Sequence, residues 1–390
     1  MYMNNNIIKG IEEIKDFLIK YKDEDDLSIG TGLLSRSLFL YNYASFFEQE
    51  KVLDISLNSF KKVYNQLEKN LHNSSLVTGC TGCVWLYLYL CKEGIFDMDD
   101  KFVEFFDWFY INGIKIEKKK ENYDLFYGFL GYSCYFLMKE SMNISSKDQL
   151  NFIVDVIEDI SKKDTNGYFW VDKYGGNYVN LGMAHGLPSI VSFLGKVYNI
   201  TAYEKAKHLG ENAIRWILNH RISQSEKWLY PNRINLLSYD NKEEASRLAW
   251  CYGDLGIGYA LCAFGQNVKD NKIKNEGIDI LNHTILRGME DTETGIHDKG
   301  FCHGVSGVYY IYKKLNDILE GTFKQAEEYW LEKLTQDYKI ESFYSYTYYE
   351  KQYKYAPDIG LINGFGGIGM TLLSIINKDK KNEWDNIFML

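Results

Sequence analysis

The stretch CYGDLGIGYAL, residues 251–261, and its counterpart CHGVSGVYYIY, residues 302–312, share one pattern: a glycine, two residues, a glycine or small residue, then an apolar run. The pattern returns as GTGLLSRSLFL (30–40), TGCTGCVWLYLYL (78–90), YGFLGYSCYFL (127–137), AHGLPSIVSFL (184–194) and NGFGGIGMTLL (363–373). The leading glycines are 32, 79, 128, 186, 253, 304 and 364, separated by 47, 49, 58, 67, 51 and 60 residues. Self-similarity at this period marks a repeat architecture, and each interval has room for two helices.

Ahead of the glycines lie amphipathic segments such as 6–22, 52–71 and 101–116, with apolar residues at three- and four-residue spacing and Lys and Glu between. They read as outer helices with one wet face. The runs after the glycines are apolar nearly all round and read as inner helices buried on both sides. Ser146 with Gln149 and Thr201 with Glu204 have capping-box spacing, which predicts helix starts at both places. The expected fold is all-α, an α/α toroid of about seven outer–inner pairs, with an open solenoid as the competing arrangement. The glycines are expected to turn the chain into each inner helix through positive φ and close approach. Non-helical insertions are expected near 165–180 and 227–241, where aromatic and polar residues alternate. No linker divides residues 1–390, which read as a single domain.

The composition bounds the function. With 44 basic against 53 acidic residues the formal charge is −9, and no basic stripe offers a footprint for a phosphate backbone, so nucleic acid is not an expected partner. The first 26 residues carry charges every few positions and lack the apolar core of a signal peptide. No apolar run approaches the roughly 18 residues of a membrane span. A cytoplasmic location is expected, where the seven cysteines stay reduced, and an odd count argues against a closed disulfide framework.

Departures from the repeat point to chemistry. Immediately before the leading glycines stand Thr31, Thr78, Tyr127, His185, Tyr252, His303 and Asn363. One residue earlier, the fifth and sixth units carry Cys251 and Cys302. Two thiolates and an imidazole form a zinc ligand set with a fourth position open for water or substrate, and soft ligands disfavour magnesium or calcium. Spacing alone equally fits two buried cysteines and a core histidine. Cys80 and Cys83 form a CxxC, but Cys83 fills a slot that is apolar in other units, and both read as core with Cys91, Cys134 and Cys262.

The AHG of NLGMAHGLPSI, WCYG and CHGVSG, in this order on a seven-fold glycine repeat, resemble the lanthionine cyclases, the LanC family of lanthipeptide biosynthesis. The resemblance runs over essentially the whole chain. It implies an α/α toroid holding one Zn2+ through Cys251, Cys302 and His303. It matches the family's AHG histidine to His185, its arginine to Arg247, its tyrosine to Tyr252 and its aspartate to Asp124. Ser35 and Ser189 depart from the family's glycines, and Asp254-Leu255 stands where a proline is common.

The reaction so implied is addition of a peptide cysteine thiol to dehydroalanine or dehydrobutyrine, giving a thioether ring. A free thiol is mostly protonated at neutral pH, and zinc deprotonates it. His185 is then the candidate proton donor at the α-carbon, oriented by Asp124, with Arg247 and Tyr252 near the developing enolate. The substrate implied is a dehydrated precursor peptide, leader plus core. A dehydratase, an exporter and peripheral attachment to the inner membrane face through such partners are also implied. Three other readings use the same residues. They are a LanC-like protein adding glutathione to dehydrated residues, a non-catalytic zinc-stabilised scaffold of a peptide-modifying complex, and a toroidal glycosidase using Asp124 and Asp254.

Overall fold

The computed structural model describes residues 2–22, 25–172, 176–222, 228–237, 246–287, 294–349, 351–377 and 383–390. Outer helices are α1 (Tyr2–Lys20), α3 (Glu50–Tyr64), α5 (Asp100–Lys119), α7 (Lys147–Asp159), α9 (Glu204–Leu218), α11 (Asn271–Arg287) and α13 (Lys324–Thr335). They alternate with inner helices α2 (Leu33–Phe47), α4 (Cys80–Lys92), α6 (Ser133–Ser141), α8 (Leu187–Thr201), α10 (Asp254–Val268), α12 (Val305–Ile318) and α14 (Phe365–Ile376). Each glycine motif therefore opens an inner helix; in the third unit a 3-10 turn, Phe129–Tyr132, comes first. Burial follows the pattern. α2 is buried without a break from Leu33 to Ala44, whereas α3 buries only Val52, Ser56, Ser59, Phe60 and Val63, one stripe of a 3.6-residue period. No described helix is long and apolar enough to cross a membrane.

The chain forms two compact units. In the first (residues 1–86, 296–316 and 321–384), α14 packs on α1 and α2, so the last repeat meets the first. The turns of that unit are laced by backbone bonds: Gly30 N donates to Val77 O (2.8 Å), Ile362 N to Gly30 O (3.1 Å) and Cys302 N to Ile362 O (2.8 Å). An open solenoid keeps its terminal repeats apart, and this lacing excludes it. In the second unit (residues 87–295, 317–320 and 385–390), α8 packs on α9 and α10, and α10 on α11.

Three antiparallel two-stranded ribbons complete the chain: β1 (Lys162–Lys163) with β2 (Tyr168–Phe169), β3 (Tyr178–Asn180) with β4 (Arg233–Asn235), and β5 (Ser345–Tyr349) with β6 (Gln352–Ala356). Strands β2, β3 and β4 fall in the two expected insertions, of which residues 173–175, 227 and 238–241 lie outside the described residues.

Local expectations need correction. Positive φ is found at only one leading glycine, Gly253 (91°); at Gly32, Gly128, Gly186 and Gly364 the backbone is extended with negative φ. Close approach is the common requirement. A Cβ on Gly32 would sit 2.2 Å from Asp26 O, and one on Gly186 2.1 Å from Asn180 O, in each case the residue six earlier. Gly32→Ala should therefore destabilise the fold by about 2–3 kcal/mol without any φ penalty, read as a lower urea midpoint. Helix α7 starts after Ser146 as expected, but the Ser146 hydroxyl makes no cap bond; its backbone N–H instead meets Glu140. Thr201 ends α8 rather than capping α9, which starts only at Glu204: its hydroxyl donates back to Val197 O and accepts from Tyr203 N, ahead of that helix.

Candidate active site

The turns before the inner helices share a device that the glycines conceal. Six residues ahead of the leading glycine an Asp or Asn side chain accepts the backbone N–H two residues on. It does so at Asp26 (Ser28 N, 2.8 Å), Asn73 (Ser75 N, 3.2 Å), Asn180 (Gly182 N, 2.9 Å), Asp298 (Gly300 N, 2.8 Å) and Asp358 (Gly360 N, 2.6 Å). These are Asx turns, which hold the loop while the chain doubles back under the glycine. Four residues ahead of the glycine, the hydroxyls of Ser28 and Ser75 take the N–H of Thr31 and Thr78, both at 3.2 Å.

The third unit puts Asp124 in that serine position. Its Oδ1 does the scaffold work, accepting from Phe126 N (2.7 Å) and Tyr127 N (2.9 Å). The other oxygen is spare. Oδ2 lies 2.7 Å from His185 Nδ1, so a buried carboxylate orients the imidazole and leaves Nε2 as the nitrogen free to exchange a proton. The ring is enclosed by Phe126, edge-on at 5.5 Å, by Tyr127, nearly parallel at 6.0 Å, and by Tyr252 at 6.4 Å. Burial works against the charged imidazole, but the Asp124 hydrogen bond and charge, with Cys251 and Asp172 behind them, outweigh it, and the His185 pKa is raised. Tyr252 accepts from Asn180 Nδ2 at 3.1 Å, and the same amide reaches Asp172 Oδ2 at 3.1 Å. Burial raises the Tyr252 pKa, the Asn180 bond opposing and the charges of Cys251, Asp172 and Asp124 adding, so the phenol keeps its proton.

Arg247 stands where other units have the Asx residue, and so leaves its turn without that side-chain acceptor. Its carbonyl presses on Gly253, where a Cβ would lie 2.1 Å away and φ is 91°; only glycine meets both demands. The Arg247 side chain is exposed and has no hydrogen bond or ion pair among the described residues. A structural ion pair is made elsewhere, by Arg287 with Asp254 at 3.8 Å, both fully buried. Asp254 is thus no rim carboxylate. It accepts Leu229 N and Tyr230 N, and burial pushes its pKa up to about 6.

Cys251 is buried, and Gly182 lets its carbonyl in: a Cβ there would stand 2.3 Å from Cys251 O. Cys302 is buried on the loop that Ile362 O anchors, with His303 half-buried beside it. The two Sγ atoms and a ring nitrogen of His303 all lie within 4.8 Å of one another. The remaining thiols differ. Burial pushes Cys80, Cys134 and Cys262 up to about 12 and Cys83 higher still, as core residues, while Cys91 is only half-buried and so departs from the core expectation.

Spacing did not reveal Tyr127 and Asn180 as parts of the site. Tyr127 was visible in the row of residues preceding the glycines, and Asn180 as one of the Asx residues six positions ahead of them.

The turns thus carry thiol and imidazole, the chemistry of a soft metal site, on a repeat of paired helices. The model of the lanthionine synthetase C-like proteins matches residues 23–389, and the chain belongs to that family. Among solved structures, nisin cyclase superposes with a TM-score of 0.73 at 18% identity, covering 99% of this chain and 96% of its own. That likeness shows the fold, an α/α toroid. A possible member of the GH105 family from Salmonella enterica (10% identity, 98% and 94% covered) and a sugar epimerase from a ruminal bacterium (11%, 98% and 100%) each reach a TM-score of 0.46. No curated protein matches the chain by sequence.

Proposed function

We propose that this chain, acting as one cyclase domain, is a zinc-dependent lanthipeptide cyclase. It would add a peptide cysteine thiol to a dehydroalanine or dehydrobutyrine of the same peptide to close a (methyl)lanthionine ring. The observation that carries the reading is the convergence of Cys251, Cys302 and His303, residues up to 52 positions apart, in a chain of the lanthionine synthetase C-like family. Their donor set fits zinc. Cys251, Cys302 and His303, whose ligand atoms lie within 4.8 Å of one another, would hold the ion. A zinc ion held there would supply thiol activation, because a thiol bound to zinc is deprotonated.

The chain's own residues do the rest. Attack at the β-carbon forms the carbon–sulfur bond and moves the alkene electron pair toward the carbonyl as an enolate; a proton must then reach the α-carbon. His185 Nε2 delivers it, because Nδ1 is held by Asp124 and the raised pKa keeps the imidazole charged further into the neutral range. The Tyr252 hydroxyl, fixed by Asn180 and protonated, is a donor for the enolate oxygen, and Arg247, unpaired among the described residues, adds positive charge. Serine and threonine of the precursor must already have lost water, so a dehydratase acts first.

The test is incubation of a dehydrated, cysteine-containing peptide with the zinc-loaded protein, followed by thiol alkylation and mass spectrometry. Loss of the alkylatable thiol at unchanged peptide mass supports cyclisation. A peptide that gains glutathione when that thiol is supplied, and closes no ring, moves the activity to intermolecular addition. An unaltered peptide removes the enzyme reading.

The pair Asp124–His185 gives a pH prediction. The His185 pKa is raised, so proton donation persists below that value and is lost as pH rises through it. Asp124→Asn removes the charge, and with it the charge-assisted bond, that raise it and leaves burial, which lowers it. The alkaline limb of kcat/KM should move to lower pH, and the rate at pH 7.5 should fall about 10–100-fold. An unmoved limb would detach Asp124 from the proton transfer.

A further inference from the structure

The hairpin β5–β6 turns the usual rule for a two-stranded ribbon inside out. Tyr346 pairs with Tyr355 and Tyr348 with Tyr353, and directly opposed residues share a face, so four tyrosines line one side. Three of them, Tyr348, Tyr353 and Tyr355, are 61%, 63% and 56% exposed, although ribbons ordinarily bury their apolar face. The other side carries the buried Ser345, whose hydroxyl donates to Asn363 O at 2.6 Å, and the exposed Thr347, while Tyr346 on the tyrosine side is half-buried beside His297, with ring centroids 4.8 Å apart. The tyrosine rings brace one another, with centroids 5.1–5.2 Å apart for Tyr346–Tyr353, Tyr346–Tyr355 and Tyr348–Tyr353.

The platform is anchored on the loop that presents two of the ligand residues. Tyr346 N donates to Asp298 Oδ2 (2.7 Å) and Tyr355 Oη to His297 O (2.8 Å), while Asp298 Oδ1 takes Gly300 N two residues before Cys302. Among the described residues β5 and β6 pair with each other as a two-stranded ribbon. Tyrosines are rigid, amphipathic contacts that cost little entropy to order, the chemistry of peptide-binding surfaces. Among the described strand residues of the hairpin the cation Lys354 lies on the opposite side, across from Thr347, which makes an anionic lipid surface the poorer occupant of the tyrosine face.

We infer that the tyrosine face of β5–β6 holds the peptide substrate in extended form as it approaches Cys302 and His303; this rests on the cyclase reading. The test uses a short synthetic peptide with one dehydroalanine and one cysteine, assayed for cyclisation and, with a fluorescent label, for binding. Tyr348→Ser with Tyr353→Ser should raise KM and the dissociation constant about tenfold, with kcat and zinc content unchanged, and Tyr348→Phe with Tyr353→Phe should stay near wild type. Unchanged KM and binding, or a loss in kcat alone, overturns the inference. So does tyrosine-dependent dimerisation in size-exclusion chromatography, which assigns the face to a second copy, or tyrosine-dependent pelleting with phosphatidylglycerol vesicles, which assigns it to lipid. If the folded, zinc-loaded wild type binds the peptide but does not cyclise it, the cyclase reading fails while the binding comparison still decides the role of the hairpin.

Discussion

Cys302→Ala is expected to purify folded with zinc reduced from about one per chain to a small fraction, and to lose cyclisation down to the uncatalysed background. The three candidate ligands offer no redundancy. With two sulfurs and one nitrogen available, removing one sulfur leaves a two-residue site, whereas a stable zinc site needs at least three protein ligands. The fold should tolerate the change, because Cys302 contributes its backbone N–H to Ile362 O, which alanine retains, and loses only one small buried side-chain atom. Circular dichroism should be unchanged, and elemental analysis and the alkylation assay read the two losses independently. Zinc retained in full by Cys302→Ala would return Cys251 and Cys302 to the core and take from the mechanism its source of thiolate. Zinc lost with ring formation intact would make the metal a structural element.

The fold was legible because its signal is repeated: seven glycine motifs each open an inner helix, and no single one had to be read correctly. What misled was the physics assigned to the glycines. Glycine's freedom to take positive φ is a property of the residue type, but in six of the seven units the demand comes from the carbonyl six residues earlier, which no local pattern displays. The Asp or Asn at that carbonyl was in plain view in five units with the same bond, and Arg247 in the fifth unit is a departure from it as clear as the cysteines. Asp254 was misread because a residue next to a turn glycine can face the rim or the core, and the first turn of α10 sends it to the core, against Arg287. The contact of Asp124 with His185 spans 61 residues and came from resemblance rather than spacing. Strands β5 and β6 lie outside the two insertions expected from the sequence, and only the structure reveals that Tyr348, Tyr353 and Tyr355 share one exposed face.

His185→Ala should separate activation of the thiol from delivery of the proton. His185 is outside the candidate ligand trio, so zinc content should match the wild type, and the substrate thiol should still be activated. Without a positioned donor the enolate must take its proton from water, and general-acid catalysis of this kind is worth about 100–10,000-fold. The expected result is a fall of that size in kcat for ring closure, with KM little changed, since the imidazole contributes to the transition state more than to holding the peptide. His185→Asn is the paired variant: it can keep a hydrogen bond to Asp124 Oδ2 and the packing against Tyr127, but cannot carry the proton at neutral pH. If both variants lose activity alike with zinc intact, the proton is what matters. If asparagine restores the rate, His185 is a packing residue within the cage of Phe126, Tyr127 and Tyr252, and proton delivery belongs to Tyr252 or to solvent.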